Sequence, residues 1–133
     1  MKLTKTETDF VEPARVARLA TADSEGILHN VPICPVFANG RFYVGTESSA
    51  KKVRNIRANA NVALVFDDYT EAWSMLRGVL IQGQARIVSK KEFRVLRKKF
   101  YEKFLQYKNA APLDEADSAI IEIVPKKKFS WGL

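Results

Sequence analysis

The residues with most chemistry to offer lie in one run, Gly45-Thr46-Glu47-Ser48-Ser49-Ala50-Lys51-Lys52-Val53-Arg54-Asn55. An apolar stretch ends there, hydroxyl side chains follow, and a short helix over about Ala50–Ala58 opens with two lysines. The chemistry this suits is anion binding. The N–H groups at a helix start point outward, and the helix dipole favours negative charge there. Thr46, Ser48 and Ser49 carry hydroxyl donors, and Lys51 and Lys52 add full positive charge. Lysines in a first turn oppose the dipole, and helix stability alone would favour acids. Local conflicts of this kind mark functional sites. Taken alone, the pattern is met equally well by two solvated lysines on a surface helix.

Other reactive side chains are scattered. His29, the single histidine, has no acid or base next to it in sequence and reads as a strand-end residue. Cys34, the single cysteine, sits between prolines in an apolar stretch and reads as a small buried hydrophobe. Asp67-Asp68 reads as a solvated turn. With one histidine and one cysteine, no metal site is expected. Trp73 and Trp131 suit stacking on a ligand or packing in a core or subunit contact. No side chain stands out as an obligatory acid or base, so no catalytic residue is assigned.

The elements that would position these residues follow from patterning. A helix over about Lys5–Glu12 stops before Pro13. Strands are predicted at Val16–Ala22, Leu28–Phe37, Arg41–Gly45, Asn61–Phe66, Leu76–Val88 and Ala119–Val124. Pro32 and Pro35 place part of the second at an edge or bulge. Asn39-Gly40 signals a tight hairpin. Gly78 and Gly83 signal a bulge or a close backbone approach. Ser48 and Ser49 suit the N-cap of the lysine-bearing helix. Ser89-Lys90-Lys91-Glu92 is a capping box opening a helix to about Tyr107, with Phe93, Leu96, Phe100 and Phe104 on one face. Six strands and three helices, with short turns between early strands, predict an α+β, mainly β fold: a six-stranded antiparallel barrel with short flanking helices.

Length and charge bound the rest. At 133 residues one domain, 1–133, is expected. No run is long and apolar enough to span a membrane, and the first residues lack the apolar core of a signal peptide, so a cytoplasmic location is expected. The net charge of +7 favours anionic partners. The basic, amphipathic helix at Lys90–Lys103 reads as a barrel cover with wet lysines. Phe42 and Tyr43, adjacent on a strand, face opposite ways and argue against a nucleic-acid platform.

Several ordered pieces carry a family likeness: Arg18-Leu19-Ala20-Thr21, Val31-Pro32, Thr46, Ser49, Lys51-Lys52, Arg54-Asn55-Ile56, Asn61–Leu64, and Gln82-Gly83 with Ala85. Together they resemble the pyridoxamine-5′-phosphate-oxidase-like family of flavin-binding split barrels, over Val16–Val88 and Trp131. The resemblance implies a homodimer with cofactor at the interface and FMN as that cofactor. It puts Thr46, Ser49, Lys51 and Lys52 on the phosphate. Backbone of Val31, Pro32 and Ile33 would face the isoalloxazine ring. Gln82 from the partner chain, and Trp131, would complete the site. Asp68-Tyr69, Trp73 and Tyr107 are similar to a branch that depends on the deazaflavin coenzyme F420, whose anionic tail would also suit the basic chain. True pyridoxamine-phosphate oxidases carry an Arg-rich segment near the C-terminus; Phe129–Leu133 lacks it, so vitamin B6 oxidation is not expected. The implied function is hydride transfer to a small-molecule substrate. A non-catalytic flavin or haem carrier or sensor is the second reading, and a nucleic-acid-binding barrel the third.

Overall fold

A computed structural model describes residues 1–133. The elements run α1 (Lys5–Val11), β1 (Ala17–Ala22), β2 (Leu28–Ile33), β3 (Pro35–Ala38), β4 (Arg41–Glu47), α2 (Lys51–Ala58), β5 (Asn61–Asp68), a 3-10 turn (Trp73–Met75), β6 (Arg77–Ile87), α3 (Lys90–Lys103), α4 (Gln106–Ala110) and β7 (Ser118–Trp131). The strands form one antiparallel sheet in the order β2-β1-β5-β6-β7-β4-β3, the curled mainly-β architecture expected.

There are seven strands rather than six. The expected strand Leu28–Phe37 breaks at Cys34. Its first part pairs with β1 at one edge of the sheet and its second with β4 at the other. Proline supplies no ladder N–H, so Pro32 and Pro35 are confined to these two edges. The barrel is therefore split where Ile33 passes to Pro35. The β3–β4 hairpin turns through Asn39 (φ 54°) and Gly40 (φ 74°), as the Asn-Gly pair predicts. The last strand is much longer than expected. Past Pro125 it carries Lys126, Lys127 and Lys128, and its register against β6 shifts between Gln82 and Gly83. That shift is the bulge which Gly83 foretold.

Alternation along the strands builds the main core inside the barrel. Leu19, Phe42, Leu64, Phe66, Ile81, Ile121 and Ile123 are all buried there. Below it α2 contributes Val53 and Ile56. A second core lies on the opposite face of β4 and β7. There Tyr43 and Ile120 meet Phe93, Leu96, Phe100 and Phe104, the predicted apolar face of α3. Phe42 and Tyr43 do point to opposite faces, but each finds a core.

Two ends differ from expectation. The capping box at Ser89 and Glu92 forms, but α3 stops at Lys103 and a separate short helix, α4, follows. The N-cap of α2 is Ala50, with no side-chain cap, and not Ser48 or Ser49. The Ser48 hydroxyl donates instead to the Asp117 carbonyl at 3.0 Å, tying the loop to β7's approach.

Candidate functional site

The end of β4 and the start of α2 form one wall of a cleft of about 850 Å³. The other wall is α4 and the loop into β7. Thr46, Ser48, Ser49 and Lys52 line the first; Tyr107, Leu113, Asp117 and Ser118 line the second. The N–H groups of Ser49, Lys51 and Lys52 have no partner within the chain, because Ala50 lacks a capping side chain. Arg54 Nη1 donates to the Ser49 carbonyl at 2.7 Å, and Ser49 itself is exposed. No acid sits in the first turn of α2. Unpaired amides, hydroxyls and an ammonium thus converge on one opening, which is the donor set a phosphate dianion requires. The carboxylates of Glu47 and Asp117 also line the cleft. They suit it to a ligand with hydroxyl donors beside its anionic end.

The helix that carries these donors is fixed from beneath. Asn55 is buried, and its Nδ2 donates to Thr21 Oγ1 on β1 at 3.0 Å. That bond pins α2 to the barrel. Asn55 belongs to the Arg54-Asn55-Ile56 piece of the family likeness, but its role as the pin of α2 was not read from the sequence, because a polar residue on an apolar helix face reads as an irregularity.

A smaller bay of about 380 Å³ adjoins the cleft and shares Tyr107, Ala110 and Ala111 with it. Arg15, Cys34, Phe104 and Gln106 complete its lining. Cys34 is exposed there, in the split between β2 and β3, contrary to the buried position expected. The flanking prolines break the strand at that point and turn the side chain out of the core. The cleft at the start of α2 and the bay at the end of β2 are thus neighbours along one groove-like face, with Tyr107, Ala110 and Ala111 between them as shared lining.

The predicted site residues fall into three groups. Thr46, Ser49 and Lys52 come together in the cleft. Lys51 is exposed beside them and does not line it. Val31, Pro32 and Ile33 lie on edge strand β2, which leads directly to Cys34 in the bay; Ile33 is buried, Val31 half-buried and Pro32 exposed. As an edge strand, β2 keeps alternate backbone N–H and C=O groups free of ladder partners. Gln82 and Trp131 are elsewhere, on the outer face of the sheet. Gln82 stands in a cross-strand row with Ala20, Ala63 and Lys127. Trp131 stacks on Phe129 at 5.8 Å and lies over Gly78. Within one chain they do not meet the cleft.

Other candidates resolve simply. Asp67 and Asp68 pair with Arg18 and Arg77. Trp73 is 72% exposed, so it is not a core residue, and its indole N–H donates to the Tyr69 hydroxyl. His29 faces Thr21 across the β1–β2 pair, with Nδ1 buried and unpartnered. It lines neither part of the groove.

Comparison with known proteins gives a consistent family. The sequence profile described as pyridoxamine 5′-phosphate oxidase matches residues 3–132. No curated protein sequence matches the chain. Among solved structures, the haem storage protein HutZ from Vibrio cholerae superposes with a TM-score of 0.80 at 17% identity, over 97% of this chain and 94% of that one. An FAD-binding protein from Mesorhizobium loti gives 0.78 at 20% identity, over 96% and 93%. A structure named F420 reductase gives 0.76 at 20% identity, over 96% and 98%. At such identities the likeness establishes the fold alone.

Proposed function

The chain belongs to the pyridoxamine 5′-phosphate oxidase family, and on that premise we propose that it is an FMN-binding oxidoreductase that transfers hydride to a small-molecule substrate. The observation that carries the reading is the convergence of the unpaired amides of Ser49 and Lys52 with hydroxyls and an ammonium on one cleft, with the unpaired Lys51 amide beside it. In this reading Thr46, Ser49 and Lys52 hold the phosphate, and Lys51 adds charge from the rim. Glu47 and Asp117 accept from the ribityl hydroxyls. Free backbone groups of Val31–Ile33, on edge strand β2, would hold the polar edge of the ring. When bound, the cofactor supplies hydride chemistry at its central ring. The chain supplies binding, orientation and exclusion of water. Coenzyme F420, also a phosphate-bearing flavin analogue, fits the same donor set.

The reading includes a homodimer. The outer sheet face presents Phe129 at 63% exposure, in register with Leu80 and next to Val65. A second copy packed there would cover these apolar side chains and bring Gln82 and Trp131 to the partner's cofactor. The second function reading, a carrier or sensor without turnover, shares the cleft.

The test is the absorption spectrum of purified protein, then mass spectrometry of the small molecule released by heat. The visible absorption bands of a flavin, or that of a deazaflavin, with the matching mass are expected. A Soret band with haem released, or no uptake of FMN or F420 on reconstitution, contradicts the proposal. Reduction by NADPH or reduced F420, followed by reoxidation by an acceptor, separates enzyme from carrier.

A further inference from the structure

The bay at the far end of the groove has its own chemistry. Arg15 lines it and has no carboxylate partner. Its guanidinium lies 4.3 Å from the centre of the Phe104 ring, and Nη1 donates to the Lys103 carbonyl at 2.8 Å, which fixes it in place while other N–H groups stay unused. Behind it Lys103 also lacks an acidic partner and donates to the carbonyls of Glu12 and Pro35. Two cations are thus held together with no ion pair to either, although Asp9, Glu12 and Glu102 line a neighbouring pocket that both border. Burial, and then Arg15, lower the Lys103 ammonium to about 8, and Cys34 and then the Glu12 carboxylate offset this only in part. Tyr107 faces the bay with a hydroxyl that makes no hydrogen bond within the chain. Burial, and then the neighbouring Cys34, push that phenol up to about 12, so it remains a donor at any working pH. The remaining walls are mostly apolar, Phe104, Ala110 and Ala111, with the Cys34 thiol and the Gln106 amide beside them.

We propose that this bay binds the carboxylate of a small, flat, apolar organic acid, with Arg15 as its counter-ion and Tyr107 as its second donor. Resting on the cofactor reading above, the acid is the substrate, seated against the ring end of the groove. A single exposed guanidinium and one phenol match a monoanionic carboxylate better than a phosphate dianion. Apolar walls beside an unpaired cation select an anion with a hydrophobic body. A bay of about 380 Å³ holds roughly a dozen water-sized groups at about 30 Å³ each, which suits a one-ring acid. Residues 15 and 107 lie far apart in sequence, and no motif joined them.

Benzoate and its neutral isostere benzamide are the probes, titrated by calorimetry into FMN-loaded and FMN-free protein. Benzoate is expected to bind at least roughly ten-fold tighter than benzamide, the scale of one charge-assisted contact. Arg15→Gln abolishes that preference and Arg15→Lys keeps part of it, both with FMN affinity unchanged, and Tyr107→Phe weakens benzoate more than benzamide. Equal binding of the two probes to the parent, or benzoate binding untouched by Arg15→Gln, overturns the proposal. So does loss of FMN in Arg15→Gln, which would move Arg15 into the cofactor site. If the parent takes up no FMN, the cofactor reading fails by itself, and the probe preference of the FMN-free chain still decides this one.

Discussion

Replacing Glu7 by Gln perturbs one carboxylate and, through it, the N-terminal arm that leads to Arg15. Glu7 is 5% exposed. It accepts from Lys128 Nζ at 2.6 Å and from the Thr4 N–H at 2.8 Å, the latter closing a capping box at the start of α1. Burial pushes the carboxyl up, but Lys128, the Thr4 N–H and the Ser130 hydroxyl outweigh it and hold it at about 2. A depression of that size from 4.5 corresponds to roughly 3 kcal/mol. Lys128 keeps some contact with water, so the realised figure should lie nearer ~2 kcal/mol. Because the folded-state pKa is lowered, this stability is fully present above about 4.5 and fades as pH falls towards about 2. Glu7→Gln should therefore lose about 2–3 kcal/mol at neutral pH. The gap to the parent should narrow by about 1–2 kcal/mol by pH 3. Urea unfolding followed by circular dichroism at several pH values measures it. A gap that is the same at pH 7 and pH 3, or absent at both, would refute the electrostatic account of how α1 is held on β7.

Four further outcomes follow from the geometry. Lys52→Met should weaken FMN by roughly 10- to 100-fold in a fluorescence titration while leaving riboflavin unaffected, and Lys51→Met, on the rim, should cost less than ten-fold. Asn55→Ala should lower stability by about 1–2 kcal/mol in urea and also weaken FMN, because α2 loses its bond to Thr21. Gly83→Ala should destabilise by about 1–3 kcal/mol or abolish folding, since its Cβ would fall on the Val124 carbonyl oxygen at the bulge; a parent-like unfolding midpoint contradicts this. Phe129→Glu should shift the protein to monomer in analytical ultracentrifugation and reduce FMN retention, if Gln82 and Trp131 act across the interface.

Much of the barrel could be read from local rules. Alternating apolar residues placed the strands, Asn39-Gly40 placed the hairpin, and Ser89 with Glu92 placed the start of α3. The division of one expected strand into β2 and β3 could not be read so, because it depends on which sheet edge each half pairs with. The length of β7 was hidden for a similar reason. Pro125 and three lysines look like a solvated tail until β6 offers a ladder partner through the shifted register. At the site, the hydroxyl-lysine run was visible because its residue types conflict with helix stability. Its opposite wall was not, because Ala110, Ala111 and Leu113 carry no chemical signal until α4 folds back over the start of α2. Cys34 misled for the reverse reason: an apolar neighbourhood in sequence became an exposed break between edges in space.

The most direct measurement maps backbone amides of isotope-labelled protein by NMR during titration with FMN, and separately with riboflavin. The account predicts shifts at Thr46, Ser49, Lys51 and Lys52 that FMN produces and riboflavin does not, with shifts common to both along Val31–Cys34. FMN-specific shifts confined to the outer face around Gln82, Lys126 and Lys127, with the start of α2 silent, would contradict it.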